Sequence, residues 1–163
     1  MSSPTSAASM HPNGVLLQRL FAALNRHDHS AMTACYHPEA TFRDIAFDLI
    51  GRDRIGQMWR MICKGDIKAT VDGIQADDKN GRTNLVDTYS FGEKKLPVRN
   101  VIESRFKFQD GLIIEQRDSC DARGWAKQAV GGVPGFLAGR IHFLRSFMAN
   151  KKLDKFIRDF PNS

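Results

Sequence analysis

Residues 96–121 read LPVRNVIESRFKFQDGLIIEQRDSCD, and the fold prediction starts from their alternating pattern. Two alternating runs flank Gln109–Gly111, and Asp-Gly between apolar runs is a strong hairpin signal, because glycine accepts the positive φ of tight turns. One face of each predicted strand mixes apolar and polar side chains: Val98, Asn100, Ile102, Ser104 and Phe106, then Leu112, Ile114, Gln116, Asp118 and Cys120. A face packed solidly against helices would be almost wholly apolar, so this mixture predicts the lining of a pocket.

The opposite face of the same hairpin is far more charged. It carries Arg99, Glu103, Arg105, Lys107, Glu115 and Arg117. If the mixed face were the solvated one, these charges would have to be buried, which is costly for unpaired groups. We therefore predict that the mixed face points inward.

Length and composition indicate one globular domain. The chain has 163 residues, of which 42% are hydrophobic and 26% charged, as in ordinary soluble domains, and no apolar run has the length of a membrane span. Residues 1–13 are small and polar and are expected to form a disordered leader. Three widely separated cysteines favour a reducing, cytoplasmic compartment over a disulfide framework.

Neither a metal nor a cofactor is predicted. The five histidines are scattered along the chain without the spacing of metal ligands, and there is no CxxC motif. The sequence also has no phosphate-binding loop, no dinucleotide-binding fingerprint and no Ser-His-Asp pattern.

The net charge of +6 is concentrated at the C-terminal end of the chain. Basic residues are not interleaved with exposed aromatic residues on a sheet, so nucleic-acid binding is not predicted. Residues 131–135 read GGVPG and predict a hinge, and residues 136–160 have the spacing of a basic amphipathic helix. That helix either packs on its own domain or on a partner, or docks on an anionic membrane.

The order of the predicted elements gives the fold class. Helical periodicity predicts helices over residues 14–26, 30–36 and 51–64, and alternation then predicts a meander of long strands from residue 68 onward. We therefore predict an α+β fold, in which the N-terminal helices cover the concave face of a cone-shaped, curved sheet. The pocket domain spans residues 14–130, and residues 131–163 form the hinge and helical extension.

Three aspartates are candidate catalytic residues, because each lies on a predicted strand among apolar neighbours. They are Asp118, Asp87 and Asp44. Two carboxylates in one low-dielectric pocket cannot both ionise cheaply, so one should carry a proton and supply an acid while the other supplies a base. The alternative is that each lies near a strand end, facing water or capping a helix.

The remaining pocket candidates come from the inward face and from nearby aromatic residues. They are Asn100, Ile102, Ser104, Tyr89, Phe42, Trp59 and Cys120. Trp59 is equally well explained as a core aromatic residue. Cys120 has no adjacent histidine or lysine, so it is expected to act as a small lining residue and not as a nucleophile.

Four fragments, in this order, resemble the nuclear transport factor two-like superfamily and in particular its SnoaL-like branch. They are LLQRLFAALNRHD, CYHPEATFRD, GRDRIGQMW and FQDGLIIEQRDSCD, and the resemblance covers residues 16–125. It implies a cystatin-like roll with a deep pocket, dimeric through the sheet. Ketosteroid isomerases, polyketide cyclases, limonene-epoxide hydrolases, dehydratases and non-catalytic ligand binders share this fold, so the fold alone leaves the activity open.

The resemblance also implies roles for individual residues. Asp118 matches the acid/base of the polyketide cyclases, and Asp118 and Asp87 match the two aspartates of the limonene-epoxide hydrolases. Leu85 stands where those hydrolases have an arginine, and Phe42 and Asp44 stand where they hold water with tyrosine and asparagine.

Ketosteroid isomerases give a different correspondence. Their base matches Asp44, their oxyanion-hole tyrosine corresponds to Leu20, and their oxyanion-hole aspartate falls near Ser104. The expected function is a cofactor-independent isomerase, cyclase or hydrolase that acts on a small, mostly apolar, oxygen-bearing molecule. A non-catalytic binder of a hydrophobic ligand is the first alternative, and an interaction module that uses the basic C-terminal helix is the second.

Overall fold

A computed structural model describes residues 9–130 and 138–161, with the backbone alone for Val130 and for residues 138–148. Most of the predicted leader and the predicted hinge lie outside the described residues. The described helices are α1 (Pro12–Asn25), α2 (His29–Thr33), α3 (Arg52–Ile62), α4 (Ala122–Val130) and α5 (Ala138–Asp159). The strands are β1 (Tyr36–Arg43), β2 (Asp48–Ile50), β3 (Lys68–Ala76), β4 (Asn80–Phe91), β5 (Leu96–Gln109) and β6 (Leu112–Cys120).

The six strands form one curved sheet in the order β2-β1-β6-β5-β4-β3. β1 runs parallel to β6, and every other pair is antiparallel, so the sheet is mixed. Strands β3 to β6 follow one another as hairpins, whereas β1 reaches its place beside β6 from the helical N-terminal half. The predicted α+β architecture is confirmed.

The hydrophobic core lies between the helices and the face of the sheet that was predicted to point inward. Leu17 and Leu20 of α1 and Met58 of α3 are fully buried, and they share one core cluster with Ile102 and Phe106 of β5. Alternate residues of β5 from Val98 to Phe108 are all buried, as a strand with one covered face requires. The side assignment from the sequence is therefore correct for this strand.

Helix α1 begins two residues before the predicted start. Pro12 occupies its first turn, where the missing N–H costs nothing, and the side chain of His11 accepts from the N–H of Asn13. The side-chain amide of Asn13 donates to the carbonyl oxygens of Asp77 and Asp78. These bonds hold the start of α1 against the turn between β3 and β4.

A bulge in β6 corrects part of the predicted inward face. Phe108 pairs with Ile113, whereas Lys107 pairs with Glu115, so the register shifts by one residue between them. Ile113 is fully buried and takes the inward place that the strict alternation assigned to Leu112 and Ile114. After the bulge, the residues of β6 from Gln116 onward alternate between the inward and outward faces as predicted.

Helix α4 closes the sheet where β5 extends beyond β6. The pairing of β5 with β6 begins at Ile102, so Arg99 has no strand beside it on that edge. The Gln128 side chain instead accepts from the Arg99 N–H at 2.7 Å and donates to the Arg99 carbonyl at 3.0 Å. Trp125 of the same helix donates to the Tyr89 hydroxyl, which ties α4 to the mouth of the cone.

Helix α5 packs on α3 of its own domain. Leu153 and Phe156 are buried, and Arg54 pairs with Asp154 at 2.5 Å. The Arg60 guanidinium and the Lys64 ammonium both lie 5.3 Å from the centre of the Phe156 ring. Within the described residues, no helix is both long and apolar enough to cross a membrane.

We expect Leu153→Ala to weaken the docking of α5. Leu153 is fully buried, and truncating such a leucine costs about 2–4 kcal/mol. Urea denaturation measures the loss, and limited proteolysis shows whether α5 is released. Lys152→Ala, at an exposed neighbouring position, is the control, and equal stability of the two variants would contradict the packing described here.

Candidate functional site

The inward faces of β4, β5 and β6 present two polar rows on either side of an apolar one. Asp87 lies opposite Asn100, and Thr83 lies opposite Ser104, which in turn lies opposite Asp118. Leu85, Ile102 and Cys120 form the row between them. The register of the sheet thus brings Asp87 and Asp118, 31 positions apart in the sequence, onto the same side of the cone.

Asp118 is surrounded by protein yet retains some accessible surface. Its backbone lies beside the fully buried Ser104, and its side chain is only half-buried. Burial, with a smaller contribution from the charge of Asp44, raises the pKa of Asp118 to about 7. Asp118 is therefore strongly desolvated, although part of its surface stays accessible.

Two neutral neighbours oppose this rise. Ser104 and Gln116 both lower the pKa of Asp118, because they stabilise the ionised form. The Gln116 amide donates to the two carboxylate oxygens at 3.1 and 3.2 Å. The Ser104 hydroxyl is close enough to act electrostatically but makes no hydrogen bond of normal geometry.

Asp87 is the second carboxyl of the site. It is 8% exposed, and its Oδ1 atom is buried without a hydrogen-bond partner. Burial, together with the negative charge of Asp118, raises the pKa of Asp87 to about 7. The charge of Asp118 therefore reaches Asp87, as expected of two carboxyls in one low-dielectric site.

A chain of three hydrogen bonds leads from helix α3 to Asp118. The Trp59 indole N–H donates to the Tyr36 hydroxyl at 3.1 Å, and Tyr36 donates to Gln116 Oε1 at 2.5 Å. The Gln116 amide N–H completes the chain at the Asp118 carboxylate. Tyr36, Gln116 and Trp59 are all buried, so water competes little for these bonds.

Asp44 has a structural task in addition to its charge. It follows β1, and its Oδ1 atom accepts from the N–H groups of Ala46 and Phe47 at 2.7 and 2.6 Å. Asp44 thereby closes the turn into β2; it lies at a strand end, as the alternative interpretation had it, but these two bonds cap a turn and not a helix. Its charge nevertheless reaches both Asp118 and Tyr89, so all three predicted aspartates influence one region.

The other predicted pocket residues divide between the mouth and the interior of the cone. Tyr89 and Cys120 are half-buried, and burial raises the pKa of Tyr89 to about 12. Phe42 and Trp59 are buried and pack edge to face, with ring centroids 5.7 Å apart. Leu20 is a fully buried core residue of α1. Trp59 therefore packs as a core aromatic residue, which was the alternative to a pocket role, and Phe42 and Leu20 pack in the core as well.

Three polar residues of the site were not predicted as site residues. Tyr36 was assigned to the end of the helix predicted over residues 30–36, but it begins β1 and its hydroxyl donates to Gln116. Gln116 was recognised only as a lining residue. Thr83 lies on the same face of β4 as Leu85 and Asp87, since alternate residues of a strand share a face. This alternation could have identified Thr83 as an inward residue.

Thr83 and Ser104 place two hydroxyl groups deep under the helices. Both residues are fully buried and lie directly opposite each other, yet neither oxygen has a hydrogen-bond partner. Buried polar groups are nearly always paired, and an unpaired one costs about 1–3 kcal/mol. Together with Asp87 Oδ1, they are buried oxygen atoms with unused hydrogen-bonding capacity on the concave face.

We expect Thr83→Val to raise the melting temperature by about 2–4 °C, because it removes an unpaired buried hydroxyl at nearly constant volume. Thermal unfolding followed by circular dichroism measures the change. Thr88→Val is the control, since Thr88 lies on the exposed face of the same strand and its substitution should have little effect. A lower melting temperature for Thr83→Val would show that the hydroxyl has a partner, such as an ordered water molecule.

Two further structural observations bear on ligands. Across the described part of the chain, no three His, Cys, Asp or Glu side chains come together as a metal-binding group. An open cavity of about 440 Å³ lies at the outer ends of β4 and β5, where Tyr89, Val98 and Gln128 are among the residues that line it. This cavity borders the α4 end of the cone and does not reach Asp118.

Comparison with solved structures shows the same fold in several proteins. An LEH-like epoxide hydrolase from M. tuberculosis is 20% identical, with a TM-score of 0.63 over 80% of this chain and 96% of that one. TsrD from Streptomyces laurentii is 18% identical, with a TM-score of 0.63 over 74% and 98% of the two chains. SalBIII, an epoxide hydrolase/cyclase-like enzyme of pyran ring formation in the polyether salinomycin, is 14% identical, with a TM-score of 0.63 over 69% and 92%.

Comparison of the sequence with known proteins and families gives a match to a family model. None of the curated proteins matches this chain. The family model of the SnoaL-like domain, in contrast, matches residues 17–116. This match begins in α1 and ends at Gln116, so it contains Asp87, Tyr36 and the inward face of β5. Because it covers most of the chain and agrees with the observed topology, the protein belongs to the SnoaL-like family.

Proposed function

We propose that the protein is an acid–base isomerase, cyclase or hydrolase that uses the Asp87–Asp118 pair. Its substrate would be a small, mostly apolar molecule with a reactive oxygen, and no cofactor would take part. The observation that carries the proposal is the pair itself: two inward carboxyls lie on β4 and β6, the charge of Asp118 raises the pKa of Asp87, and burial raises the pKa of both to about 7. Carboxyl groups tuned to neutral pH are suited to proton transfer, because either protonation state is accessible.

The chemistry follows from one protonated and one ionised carboxyl. With an enone, the carboxylate removes a proton from carbon while the carboxylic acid gives its proton to the carbonyl oxygen, which yields an enol. Return of a proton to a different carbon and loss of the enol proton complete an isomerisation. With an epoxide, the carboxylate takes a proton from water, the oxygen of that water bonds to carbon, and the departing epoxide oxygen takes the acid's proton.

The surroundings of the pair support an apolar substrate with few polar contacts. Leu85 and Ile102 are buried, and they lie with Cys120 in the row between the two polar rows. Asn100, opposite Asp87, is buried and offers an amide to a substrate oxygen. The unpaired Oδ1 atom of Asp87 supplies a further polar contact. This pattern is that of small-molecule sites, in which a few polar groups orient an apolar ligand.

Non-catalytic binding of a hydrophobic ligand is the second candidate, and one observation favours it. Leu85, which replaces the arginine expected beside an epoxide-opening aspartate, is 4% exposed and packs in the core. A site that lacks this cation stabilises a developing alkoxide less well. The protein would then bind a hydrophobic ligand without converting it.

One experiment separates the two candidates. The purified protein is incubated with a panel of cyclic epoxides and cyclic enones, and conversion is followed by gas chromatography with mass spectrometry. Native mass spectrometry of the same preparation detects any retained small molecule. Turnover of a panel member supports the enzyme, whereas a retained lipid-like molecule without turnover of the panel favours the binder.

A further inference from the structure

Asp87 and Asp118 have similar proton affinities, and their hydrogen bonds distinguish them. Asp118 accepts two bonds from the Gln116 amide. Asp87 has a buried Oδ1 atom without a donor. A carboxyl that accepts N–H bonds is favoured in its ionised form, and one without donors in its neutral form. The two members of the pair are therefore not equivalent.

The direction of the bonds around Gln116 is fixed from a distance. The Trp59 indole N–H can only donate, so the Tyr36 oxygen receives that bond and the Tyr36 hydroxyl proton must be directed elsewhere. It is directed at Gln116 Oε1. The Gln116 amide is thus oriented with its oxygen toward Tyr36 and its NH₂ group toward Asp118, because the reverse orientation would leave two donors facing each other.

We propose that the Trp59–Tyr36–Gln116 chain holds Asp118 as the carboxylate of the pair, so that Asp118 is the base and Asp87 carries the proton. Tyr36 and Gln116 are positioning residues in this scheme, since they act through Asp118. The roles of Asp118 as base and Asp87 as acid rest on the proposed function. The order in which the two carboxyls take up protons does not depend on it.

Other groups near the pair do not provide this distinction. Among the described residues, Asp44 at the β1–β2 turn raises the pKa of Asp118, and the charges of Asp87 and Cys120 raise the pKa of Tyr89 on β4. The charge of Asp44 therefore favours protonation of Asp118 and opposes the effect of the chain. Tyr36 itself stays a donor, because burial raises its pKa well above the usual value. Ser104 of β5 lowers the pKa of Asp118, although its hydroxyl makes no hydrogen bond of normal geometry.

Proton uptake is measurable without a substrate. The protein is labelled with ¹³C at the aspartate carboxyl carbons and titrated by NMR from pH 9 to pH 4, with Asp87→Asn and Asp118→Asn used to assign the two signals. We expect Asp87 to take up its proton first in the unsubstituted protein. If Asp118 takes up the first proton, this result alone overturns the proposal, and no residue of the chain needs to be substituted.

Two substitutions then test the chain itself. Gln116→Met removes the donor at similar length, and Tyr36→Phe frees the Gln116 amide to rotate. Each should raise the pKa of Asp118 by about one pH unit, whereas Tyr89→Phe, which changes a tyrosine outside the chain, should leave it unchanged. Amide NMR spectra establish that each variant is folded. Should Tyr36→Phe fail to fold, Gln116→Met alone decides the matter, and an unchanged Asp118 titration in a folded variant refutes the role of the chain.

The activity readout distinguishes this inference from the function on which it rests. If a panel substrate is turned over, Gln116→Met should shift the acidic limb of the pH profile upward, while the alkaline limb moves less. Full turnover by Asp118→Asn would remove the proposed chemistry and still leave the measured order of proton uptake intact.

Discussion

Asp118→Asn should reduce kcat/KM on a panel substrate by about 10²–10⁴-fold, the range expected for loss of a general acid or base. The substitution preserves the size of the side chain, removes its charge and its ability to take a proton, and replaces one of its two acceptor oxygens with an NH₂ group. Asp118 is half-buried beside Gln116, so a neutral amide can occupy the same place. We therefore expect folding to be retained, which circular dichroism and thermal unfolding verify.

Asp72→Asn is the matched control for this experiment. Asp72 also lies within a strand, β3, but it is exposed. Its substitution should leave turnover within about twofold of the original value. If Asp118→Asn retained full activity on a substrate that the protein converts, Asp118 could not be the base, and the paired-carboxyl mechanism would be wrong.

The free energy of unfolding should fall by about 1–2 kcal/mol for each pH unit between pH 5 and pH 7. Burial raises the folded-state pKa of Asp87 and Asp118 to about 7, whereas an unfolded aspartate titrates near pH 4. Between these values the folded state binds more protons than the unfolded state, so stability declines as pH rises. The contribution is fully present below the unfolded pKa and is lost as pH passes through the folded pKa.

Other carboxyls act in a separate pH window. Hydrogen bonds from Ser90 lower the pKa of Asp66, and hydrogen bonds from Asn80 and Lys79 lower that of Asp77. Their contribution is present above about pH 4 and disappears in more acidic solution. The two effects together place maximum stability near pH 5, which is more acidic than the optimum of a protein whose carboxyls are all ion-paired.

Urea denaturation at a series of pH values tests the prediction, with Asp87→Asn as the variant. A neutral amide cannot titrate, so we expect a flatter dependence and greater stability than the unsubstituted protein at pH 8. Asp72→Asn should retain the original slope. Identical slopes for all three proteins would mean that Asp87 is as well solvated when folded as when unfolded.

The sequence was informative wherever strict alternation holds. On β5, every second residue from Val98 to Phe108 is buried, as the contrast between mixed and charged faces predicted. Asp87 and Asp118 also lie on the predicted side. The prediction was wrong for Leu112 and Ile114, because the bulge before Gln116 depends on pairing with β5, and no local pattern specifies it.

Hydrophobic periodicity is a local property, so it was enough to predict the fold class, the inward face of β4 and β5 and the presence of acidic residues on that face. Which of these acids share an environment, and which groups hold each one, depends on long-range packing. Tyr36, Trp59 and Gln116 come from a strand, a helix and another strand, 80 positions apart at the extremes. Hydrogen bonds between such distant residues follow from how the elements pack, and packing is a property of the whole chain.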